Sequence, residues 1–356
     1  MTESVPPIRM GVVGAGANTK TKHIPLLKRI QGVSLVGVVN RRVASTEAAA
    51  REFGFRKTYS SWEALVDDPE IDAVVIGTWP YLHCPITLRA LEAGKHVLTE
   101  ARMAMNAREA HAMLDASRQH PELVTQIVPS PMTLEVDNTI RDLLEENAIG
   151  TLLTIQCQHS GGYYDPEAPL HWRQDIRLSG LNVMTMGIYY EAIMRWVGPA
   201  SRVIALGKIY TKSRRSHSGE IHAIEIPEHL DVLADLGEGI QLHLQESAVT
   251  PSPKHDGIRL IGTDGWLEYS QGDLHMATRA RPEPEPVVIP EARKQFWRVE
   301  EEFIQAIRGE APVRLTQFED GVRYMEFTEA VHRSLVEGRA VSLPLSPINT
   351  PSANRD

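Results

Sequence analysis

Two glycines stand where the sequence could hold a nucleotide phosphate. Residues 8–13 form a short apolar run, and Gly14 and Gly16 follow it at once. Glycines at a strand-to-helix turn let the backbone approach a pyrophosphate, which then lies on the N-terminus of the next helix. The dinucleotide fingerprint has a third glycine where Thr19 stands, so a glycine turn that opens any α/β domain is the alternative. We expect the site to be lined here by Gly14, Gly16, Ala17 and Asn18.

Asn40, Arg41 and Arg42 follow the second predicted strand and bear on which dinucleotide would bind. An acid at this position usually holds the adenine ribose of NAD, and its carboxylate would repel a 2′-phosphate. Asparagine with two arginines attracts that phosphate, which arginine can bind through two parallel hydrogen bonds. We therefore expect NADP or NAD, with NADP slightly favoured. The alternative is that both arginines are solvated loop charges.

Alternating strands and helices must position these residues. Apolar strands are predicted at residues 8–13, 33–39, 72–76 and 96–99, with helices at 23–30, 44–53 and 86–93. This alternation indicates βαβ units and a parallel sheet. Later strands are predicted at 152–158, 203–210, 231–236, 241–248, 258–261 and 266–269. Short turns join them, and Asp264-Gly265 is a hairpin signal, so the second sheet should be mainly antiparallel.

Composition narrows the possible partners. The net charge of −9 argues against nucleic acid, because phosphate binding relies on a basic surface. No apolar run approaches the roughly 18 residues that span a bilayer, and the N-terminus lacks the basic region of a signal peptide. Cys84 and Cys157 are the only cysteines and have no metal-ligand spacing. We expect a cytoplasmic protein with no metal, no membrane partner and no nucleic-acid partner.

Several segments, in order, resemble the glucose-fructose oxidoreductase, inositol dehydrogenase and rhizopine catabolism (Gfo/Idh/MocA) family. The matching runs are residues 11–16 with His23-Ile-Pro25, residues 78–83, residues 91–97 leading to Glu100, Trp172-Arg173, Gly180, residues 186–189, residues 303–310 and residues 319–321. The likeness spans residues 8 to 344. It implies an NAD(P)-dependent oxidoreductase acting on a sugar or polyol.

The resemblance also implies an α/β fold in two parts. Residues 1–129 would form a Rossmann dinucleotide-binding domain. Residues 130–345 would form an α/β substrate-binding and oligomerisation domain with a large open, mainly antiparallel sheet. The family commonly assembles through the outer face of that sheet, so a homodimer or homotetramer is expected. Residues 346–356 are predicted to be a disordered tail.

The family's nicotinamide neighbourhood maps onto further residues of this chain. The resemblance implies that the cofactor is also contacted by Thr78, Trp79, Pro80, His83, Glu100, Ala101, Trp172 and Arg173. Where the family has Glu-Lys-Pro, this chain has Glu100-Ala101-Arg102. The family's lysine acts as an acid/base or electrostatic group, and alanine cannot transfer a proton. Arg102 keeps its proton at neutral pH, so at best it stabilises negative charge on an alkoxide or carboxylate. The alternative is that it points to solvent or pairs with Glu100.

The second half of the predicted site departs as well. Many members carry an aspartate and a histidine four residues apart on a helix, where this chain has Thr185 and Tyr189, and a later aspartate is Ala192. The spacing still places Thr185 and Tyr189 on one helical face. A subset of the family carries the same Gly-Ile-Tyr run and is implied to use the tyrosine for proton transfer. Tyr189 is therefore the expected acid/base, provided that a cation such as Arg102 or Arg173 lowers its pKa from about 10. Ordinary helix packing is the alternative.

Polar side chains cluster before this helix and could bind hydroxyls. Substrates with many hydroxyls need many fixed donors and acceptors, and we expect contacts from Tyr163, His171, Gln174 and Asn182. Three functions remain open. The first is an NAD(P)-dependent oxidoreductase with Tyr189 as acid/base and with Arg102 and Thr185 stabilising the oxygen. The second is a redox-neutral lyase, glycosidase or isomerase with retained NAD(P), and the third is a non-catalytic cofactor-binding protein.

Overall fold

Two large sheets organise the chain. The structure, a computed structural model, describes residues 7–161, 164–249 and 256–346. The first sheet ends at Ile127, and the next helix begins at Leu134. The domain boundary predicted between residues 129 and 130 falls in this connection and stays a prediction. Tyr163 and residues 347–356 of the predicted tail lie outside the described residues.

The first sheet has six strands, all parallel, in the order β3-β2-β1-β4-β5-β6. They are β1 Ile8–Val13, β2 Val33–Val39, β3 Lys57–Thr58, β4 Ala73–Ile76, β5 His96–Thr99 and β6 Thr125–Ile127. The predicted Rossmann sheet is confirmed. The strand order reverses between β1 and β4, and open α/β sheets bind their ligands in the crevice beyond the carboxyl ends of the strands at such a point.

Helices cover both faces of this sheet. They are α1 Ile24–Leu27, which continues a π-helical turn over Thr19–His23, α2 Val43–Phe53, α3 Trp62–Val66, α4 His83–Glu92 and α5 Ala107–Gln119. Because both faces are covered, β4 is apolar and buried along its whole length. Leu65 and Ile86 pack on one face, and Leu27 and Ala49 pack on the other. The carboxyl ends of the strands are thus held rigidly beside one another.

The second sheet has nine strands in the order β16-β15-β14-β13-β7-β12-β11-β8-β17. They are β7 Leu152–Ser160, β8 Ala200–Lys208, β11 His229–Leu236, β12 Gln241–Ser247, β13 Gly257–Gly262, β14 Gly265–Ser270, β15 Asp273–Thr278, β16 Glu285–Pro286 and β17 Val341–Ser342. Strands β9 Ser213–Arg215 and β10 Ile221–Ala223 form a separate hairpin. Only β7 and β12 are paired in parallel, so the mainly antiparallel prediction is confirmed.

One face of the second sheet packs against helices and the other is open. The helices that follow the first sheet in sequence are α6 Leu134–Glu145, α7 Ile176–Ser179, α8 Met186–Val197, α9 Val299–Ile307 and α10 Phe318–Glu337. Tyr190 of α8 stacks on Phe327 of α10 with ring centroids 3.6 Å apart. The open face leaves Ile204, Leu206 and Leu233 exposed, Leu206 at 77%. No helix that the structure describes is long and apolar enough to cross a membrane.

Helix α9 returns to the first domain, although it follows the second sheet in sequence. Its residues Val299, Phe303 and Ile304 join the hydrophobic cluster that includes Met10 and Val12 of β1. A division of the chain into two consecutive segments does not capture this contact. The return also brings Glu300, which is 1% exposed, beneath the start of the first helical segment.

Glu300 completes a buried charge network around His23. The imidazole donates from Nδ1 to Glu300 (2.5 Å) and from Nε2 to Glu100 (3.0 Å). Burial alone would lower the pKa of His23, but the hydrogen bonds to Glu100 and Glu300 outweigh it and raise the pKa from 6.5 to about 9. His23 is therefore a cation at neutral pH, and it holds Glu100 at the carboxyl end of β5.

We predict that this network makes stability depend on pH in the neutral to alkaline range. The pKa of His23 is raised on folding, so its contribution is complete below pH 6.5 and is lost as pH rises through about 9. His23→Gln should lower the free energy of unfolding by on the order of 3 kcal/mol more at pH 6 than at pH 9.5. Urea unfolding at both pH values measures the difference.

His217→Gln is the matched control, because His217 is exposed in the turn between β9 and β10. It should change the free energy of unfolding equally at both pH values. A His23→Gln effect of the same size at pH 6 and pH 9.5 would show that His23 does not titrate in this range.

Candidate functional site

A cleft of about 690 Å³ lies at the carboxyl ends of β1, β2 and β4. It is lined by Val13, Gly14, Ala15, Gly16, Val39, Asn40, Arg41, Arg42, Ser45, Ser60, Ser61, Trp62, Gly77, Thr78, Trp79, Tyr81 and Leu82. Seven of the residues predicted to bind cofactor are in this lining. The cleft stands at the reversal of strand order, where a dinucleotide is expected.

The glycine turn brings the backbones of two loops into close approach, which only a residue without a side chain allows. Gly14 has φ +86°, and a Cβ there would lie 2.8 Å from the Gly77 carbonyl carbon and the Thr78 nitrogen. Thr19, which replaces the fingerprint's third glycine, is buried against Gly77, where a Cβ would lie 2.1 Å from its Oγ1. The fingerprint's third glycine normally allows close packing of helix and strand. Here Gly77, which follows β4, allows that packing by leaving room for the Thr19 side chain.

The helix that starts after this turn offers an anion site. The first bond into the helix runs from Lys20 N to Gly16 O (2.9 Å). Helices leave the N–H groups before that bond without an acceptor of their own, here those of Ala17 and Asn18. The side chain of Asn18 donates to Glu100. A glycine cradle with a helix N-terminus fits the pyrophosphate of NAD or NADP.

The end of β2 supplies polar and cationic groups to the cleft. Asn40 Oδ1 accepts from Ala15 N (2.7 Å), and Asn40 Nδ2 donates to Ser45 O (3.0 Å). Asn40 therefore fixes the shape of the turn. The Arg41 guanidinium lies 5.4 Å from the centre of the Trp79 ring, and Arg42 is exposed at the start of α2. Among the described lining residues there is no aspartate or glutamate.

The loop after β4 connects the cleft to the second domain. Trp79 stacks on Trp172 with ring centroids 5.8 Å apart and planes 13° from parallel. Pro80 begins a short 3₁₀ turn and is buried. His83 is fully buried, with Nε2 3.0 Å from Thr78 O and Nδ1 2.9 Å from Arg102 O. Burial lowers the pKa of His83, and the single N–H of the neutral ring donates to one of these two carbonyls while the ring packs against both segments. His83 positions that loop from within the protein.

Glu100 is an ionised carboxylate at the carboxyl end of β5. Burial works to raise its pKa, but the hydrogen bond and charge of His23 and the bond from Asn18 outweigh burial, so the pKa is lowered. Its Oε2 also accepts from Ala101 N (3.2 Å). Ala101 itself brings no polar side chain. Glu100 therefore carries a fixed negative charge beside the position where the family has lysine.

Arg102 neither points to solvent nor pairs with Glu100. The residue is 2% exposed, and its Nε is buried without a hydrogen-bond partner among the residues that the structure describes. Its stem crosses the start of α8, where a Cβ on Gly187 would lie 2.9 Å from Arg102 Cδ. Burial, and then the charge of Arg173, lower the pKa of Arg102 to about 10, so it remains a cation at neutral pH.

Thr185 joins a buried acid and a histidine that come from two neighbouring strands. Thr185 Oγ1 donates to Glu246 (3.0 Å) and lies 2.9 Å from His159 Nδ1. His159 at the end of β7 also contacts Glu246 of β12, at 3.1 Å. Burial works to lower the pKa of His159, but the hydrogen bond and charge of Glu246 outweigh burial and raise the pKa above 6.5. The parallel pairing of β7 and β12 places the two residues directly opposite each other.

Tyr189 lies against this pair but lacks the cation that the sequence analysis required. Its ring centroid is 4.9 Å from that of His159. Burial raises the pKa of Tyr189, and nearby acidic groups, including Asp256 and Glu246, raise it further. The expectation that Arg102 or Arg173 lowers this pKa is therefore not met. The phenol is a weaker acid here than in water, so near neutral pH it offers far less of its basic form than the adjacent imidazole does.

The predicted substrate-binding residues have unequal positions. His171 is exposed and accepts from Arg173 N, while Gln174 Oε1 accepts from His171 N, which together cap the turn Trp172–Gln174. Asn182 is 1% exposed, and its amide donates to the carbonyls of Ala104 and Ser179. Asn182 thus ties two loops together. Tyr163 lies outside the described residues.

Glu300, Glu246, His23 and His159 were not predicted from the sequence to have a role in the site. Glu246 carries a detectable signal, because it is an acid at an inward position of the alternating strand β12. Glu300 has none, since it stands in an acidic run at the start of α9. Its partner His23 is 277 residues away.

Two consecutive segments of the chain match protein-family models. Residues 8–127 match the oxidoreductase family with an NAD-binding Rossmann fold. Residues 138–268 match the GFO/IDH/MocA C-terminal domain.

Individual relatives differ in how much of their length is matched. 1,5-Anhydro-D-fructose reductase from Ensifer adhaerens is 32% identical over 94% of this chain and 98% of its own. Levoglucosan dehydrogenase from Pseudarthrobacter phenanthrenivorans is 31% identical over 49% of this chain and 46% of its own. The chain covers 60% of the length of an uncharacterised oxidoreductase from Rhizobium meliloti and 46% of that of the levoglucosan dehydrogenase.

The fold is also similar to that of solved structures. A levoglucosan dehydrogenase in complex with NADH and L-sorbose superposes with a TM-score of 0.82, at 21% identity, over 95% of this chain and 99% of that one. At this identity the likeness concerns the fold alone. Since family models match both halves of the sequence, the chain belongs to the Gfo/Idh/MocA family of NAD(P)-dependent oxidoreductases.

Proposed function

We propose that the chain oxidises a hydroxyl, or reduces a carbonyl, of a sugar, polyol or related cyclic alcohol with NAD(P). One arrangement carries the proposal. His83 lies between the loop that borders the nucleotide cleft and the carbonyl of Arg102. The Arg102 side chain in turn crosses the start of α8. There Thr185 contacts Glu246 and His159. The names of two relatives, an anhydrofructose reductase and a levoglucosan dehydrogenase, support a sugar substrate.

The cofactor would supply the hydride acceptor or donor when bound. The chain's own residues would bind and orient it. We assign this task to Gly14, Gly16, Ala17, Asn18, Asn40, Arg41, Arg42, Thr78, Trp79, Pro80, His83, Glu100, Ala101, Trp172 and Arg173. Among them, Asn40 and His83 act by holding the loops in place, as their hydrogen bonds to the protein indicate.

Proton transfer is assigned to His159, next to the Tyr189 that the sequence analysis favoured. A general base works best with a pKa near the operating pH, and the raised pKa of His159 meets this condition better than the raised pKa of Tyr189. Glu246 holds the imidazole and stabilises its charged form. In this assignment Tyr189 packs against the ring, Thr185 holds Glu246 through its hydroxyl, and Arg102 supplies a fixed positive charge beside the substrate.

A redox-neutral reaction with retained NAD(P) makes a different prediction from net oxidation. Tightly bound nucleotide that co-purifies and does not exchange, with turnover that leaves NAD(P)H absorbance constant, would favour it. Reversible binding and a change in NAD(P)H absorbance with the sugar would support net oxidation. Binding of neither nucleotide would refute both and leave the proposed function without a basis.

Assembly through the open face of the second sheet belongs to the same proposal. Ile204, Leu206 and Leu233 are exposed there on adjacent strands, and burying such a patch between copies removes apolar surface from water. We propose a homodimer or homotetramer. A cytoplasmic location is also proposed, and the two buried free cysteines fit a reducing compartment.

We predict that His159 sets the pH dependence of alcohol oxidation. The imidazole must be neutral to accept the proton, so kcat/KM should rise with pH and level off once the pH exceeds the pKa of His159. Glu246 raises that pKa above 6.5. His159→Asn should remove this limb and lower kcat by about 10²- to 10⁴-fold. Initial rates between pH 5.5 and 10 measure both effects.

Tyr189→Phe is the comparison variant and should keep the limb, because the phenol does not titrate in this range. His217→Asn controls for loss of an exposed histidine. If Tyr189→Phe removes the limb while His159→Asn keeps it, the acid/base is Tyr189.

We predict a preference for NADPH that depends on Arg41 and Arg42. Both side chains border the cleft, and a hydrogen bond to a charged group contributes about 1.5–3 kcal/mol. The double variant Arg41→Ala/Arg42→Ala should weaken NADPH binding by about 10- to 100-fold and leave NADH binding nearly unchanged. Fluorescence titration of both nucleotides measures this.

Arg51→Ala is the control, since Arg51 is an exposed arginine of α2 outside the cleft lining. Equal loss of NADPH and NADH affinity in the double variant would mean that the arginines do not recognise the 2′-phosphate.

A further inference from the structure

Two arginines at the junction of the domains have no carboxylate partner within the described residues. Arg102 follows β5, and Arg173 stands in the turn Trp172–Gln174 with its guanidinium 4.2 Å from the centre of the Trp172 ring. The Nε of each is buried without a hydrogen-bond partner. Both border the loop after β4: Trp172, next to Arg173, stacks on Trp79, and His83 of the same stretch contacts the Arg102 carbonyl. The charge of Arg173 also lowers the pKa of Arg102.

The chain pairs its other buried arginines. Arg214, with a side chain 4% exposed, donates to Glu228 (2.9 Å), and Arg195, with a side chain 11% exposed, donates to Asp137 (2.9 Å). Arg102 is buried at least as deeply, yet it has no such partner in the described ranges. Burying a charge without a counterion is strongly unfavourable, so buried charges are normally paired or bind a ligand.

The position of Arg102 is built into the fold. Its stem fills the place that a side chain at Gly187 would take, since a Cβ there would lie 2.9 Å from Arg102 Cδ. Its backbone carbonyl is held by His83 (2.9 Å). The side chain is therefore fixed beside the helix start that carries Thr185, and it cannot turn to solvent to find a counterion.

The nearby carboxylates are already engaged. Glu100 accepts hydrogen bonds from His23 and Asn18, and Glu246 accepts from Thr185 and faces His159. Each acts on one of the two arginines only through its longer-range field, Glu100 on Arg173 and Glu246 on Arg102. These fields offset part of the two positive charges. The unpartnered guanidinium groups therefore call for an anion from outside the chain.

We infer that the substrate is a sugar acid whose carboxylate is bound by Arg102 and Arg173. This inference rests on the proposed function and names the substrate class for it. Arginine binds a carboxylate through parallel hydrogen bonds, and such an anion meets the missing charge. A phosphate monoester on the same sugar is the competing anion, and the titration below distinguishes the two. The carboxylate is bound and oriented, and it takes no part in the bond changes at the reacting carbon.

Calorimetric titration of the full chain saturated with NADPH tests the inference without turnover. The probes are D-glucuronate and D-galacturonate, D-glucose and D-galactose, and the two corresponding hexose 6-phosphates. At least one uronate should bind about 10- to 100-fold more tightly than its neutral hexose and more tightly than its phosphate. The preference should shrink as ionic strength rises.

Arg102→Met separates ligand binding from a structural role. Removing a buried cation that has no partner should leave Tm unchanged or raise it, while the uronate preference falls about 10-fold or more. Arg214→Met is the matched control: it strands Glu228, so it should lower Tm and leave the preference intact. Arg102→Lys keeps the charge and should keep part of the preference, and it serves if Arg102→Met does not fold.

Each outcome decides the matter. Uronates that bind no better than neutral hexoses, while NADPH binds and a neutral sugar is oxidised, would overturn the inference and leave the proposed function standing. Tighter binding of the 6-phosphates would replace the carboxylate by a phosphate. A protein that binds no nucleotide would refute the proposed function itself. A marked drop in Tm for Arg102→Met with an unchanged preference would make Arg102 structural.

Discussion

The site depends on one segment, residues 100–105, which is held from both domains at once. Its partners are His23 on the side chain of Glu100, His83 on the carbonyl of Arg102, Tyr324 on the N–H of Met103, Asn182 on the carbonyl of Ala104 and Leu181 on the carbonyl of Met105. The first two belong to the nucleotide-binding half and the other three to the second half. A displacement of either half would therefore move the charges of this segment. In the proposed mechanism, this segment would set the distance between cofactor and substrate.

Burial determines how these charges act. Glu100 and His23 stabilise each other's charged forms, so the pair remains ionised although both side chains are largely buried. Glu246 has the same effect on His159. Burial and nearby acidic groups raise the pKa of Tyr189, so its phenol stays neutral. In the proposed mechanism, proton exchange near neutral pH would therefore fall to the imidazole, and charges in a low-dielectric surrounding act more strongly than in water.

Local patterns predicted most of the fold and only part of the site. The apolar runs and glycine turns placed β1, β2, β5 and the glycine cradle within a residue or two, because strand and turn signals are local. Thr19 contradicted the fingerprint, since the compensating Gly77 comes from another strand. The partners of His159 and His23 are 87 and 277 residues away, and no local pattern links them. Tyr189 was placed on the right helix, but its pKa depends on such distant neighbours.

This chain has Ala101 where the family has lysine, and it has a cation at residue 102. Charge stabilisation and proton transfer, which one lysine can combine, are therefore separated. A lysine beside the reacting carbon can stabilise charge and also transfer a proton. An arginine at residue 102 crosses the start of α8 and can only stabilise charge, because its pKa remains near 10 even when buried. The proton must then come from another element. The ends of β7 and β12 supply the titratable pair nearest to this helix start, so in the proposed mechanism the second domain provides the proton and the segment after β5 provides the charge.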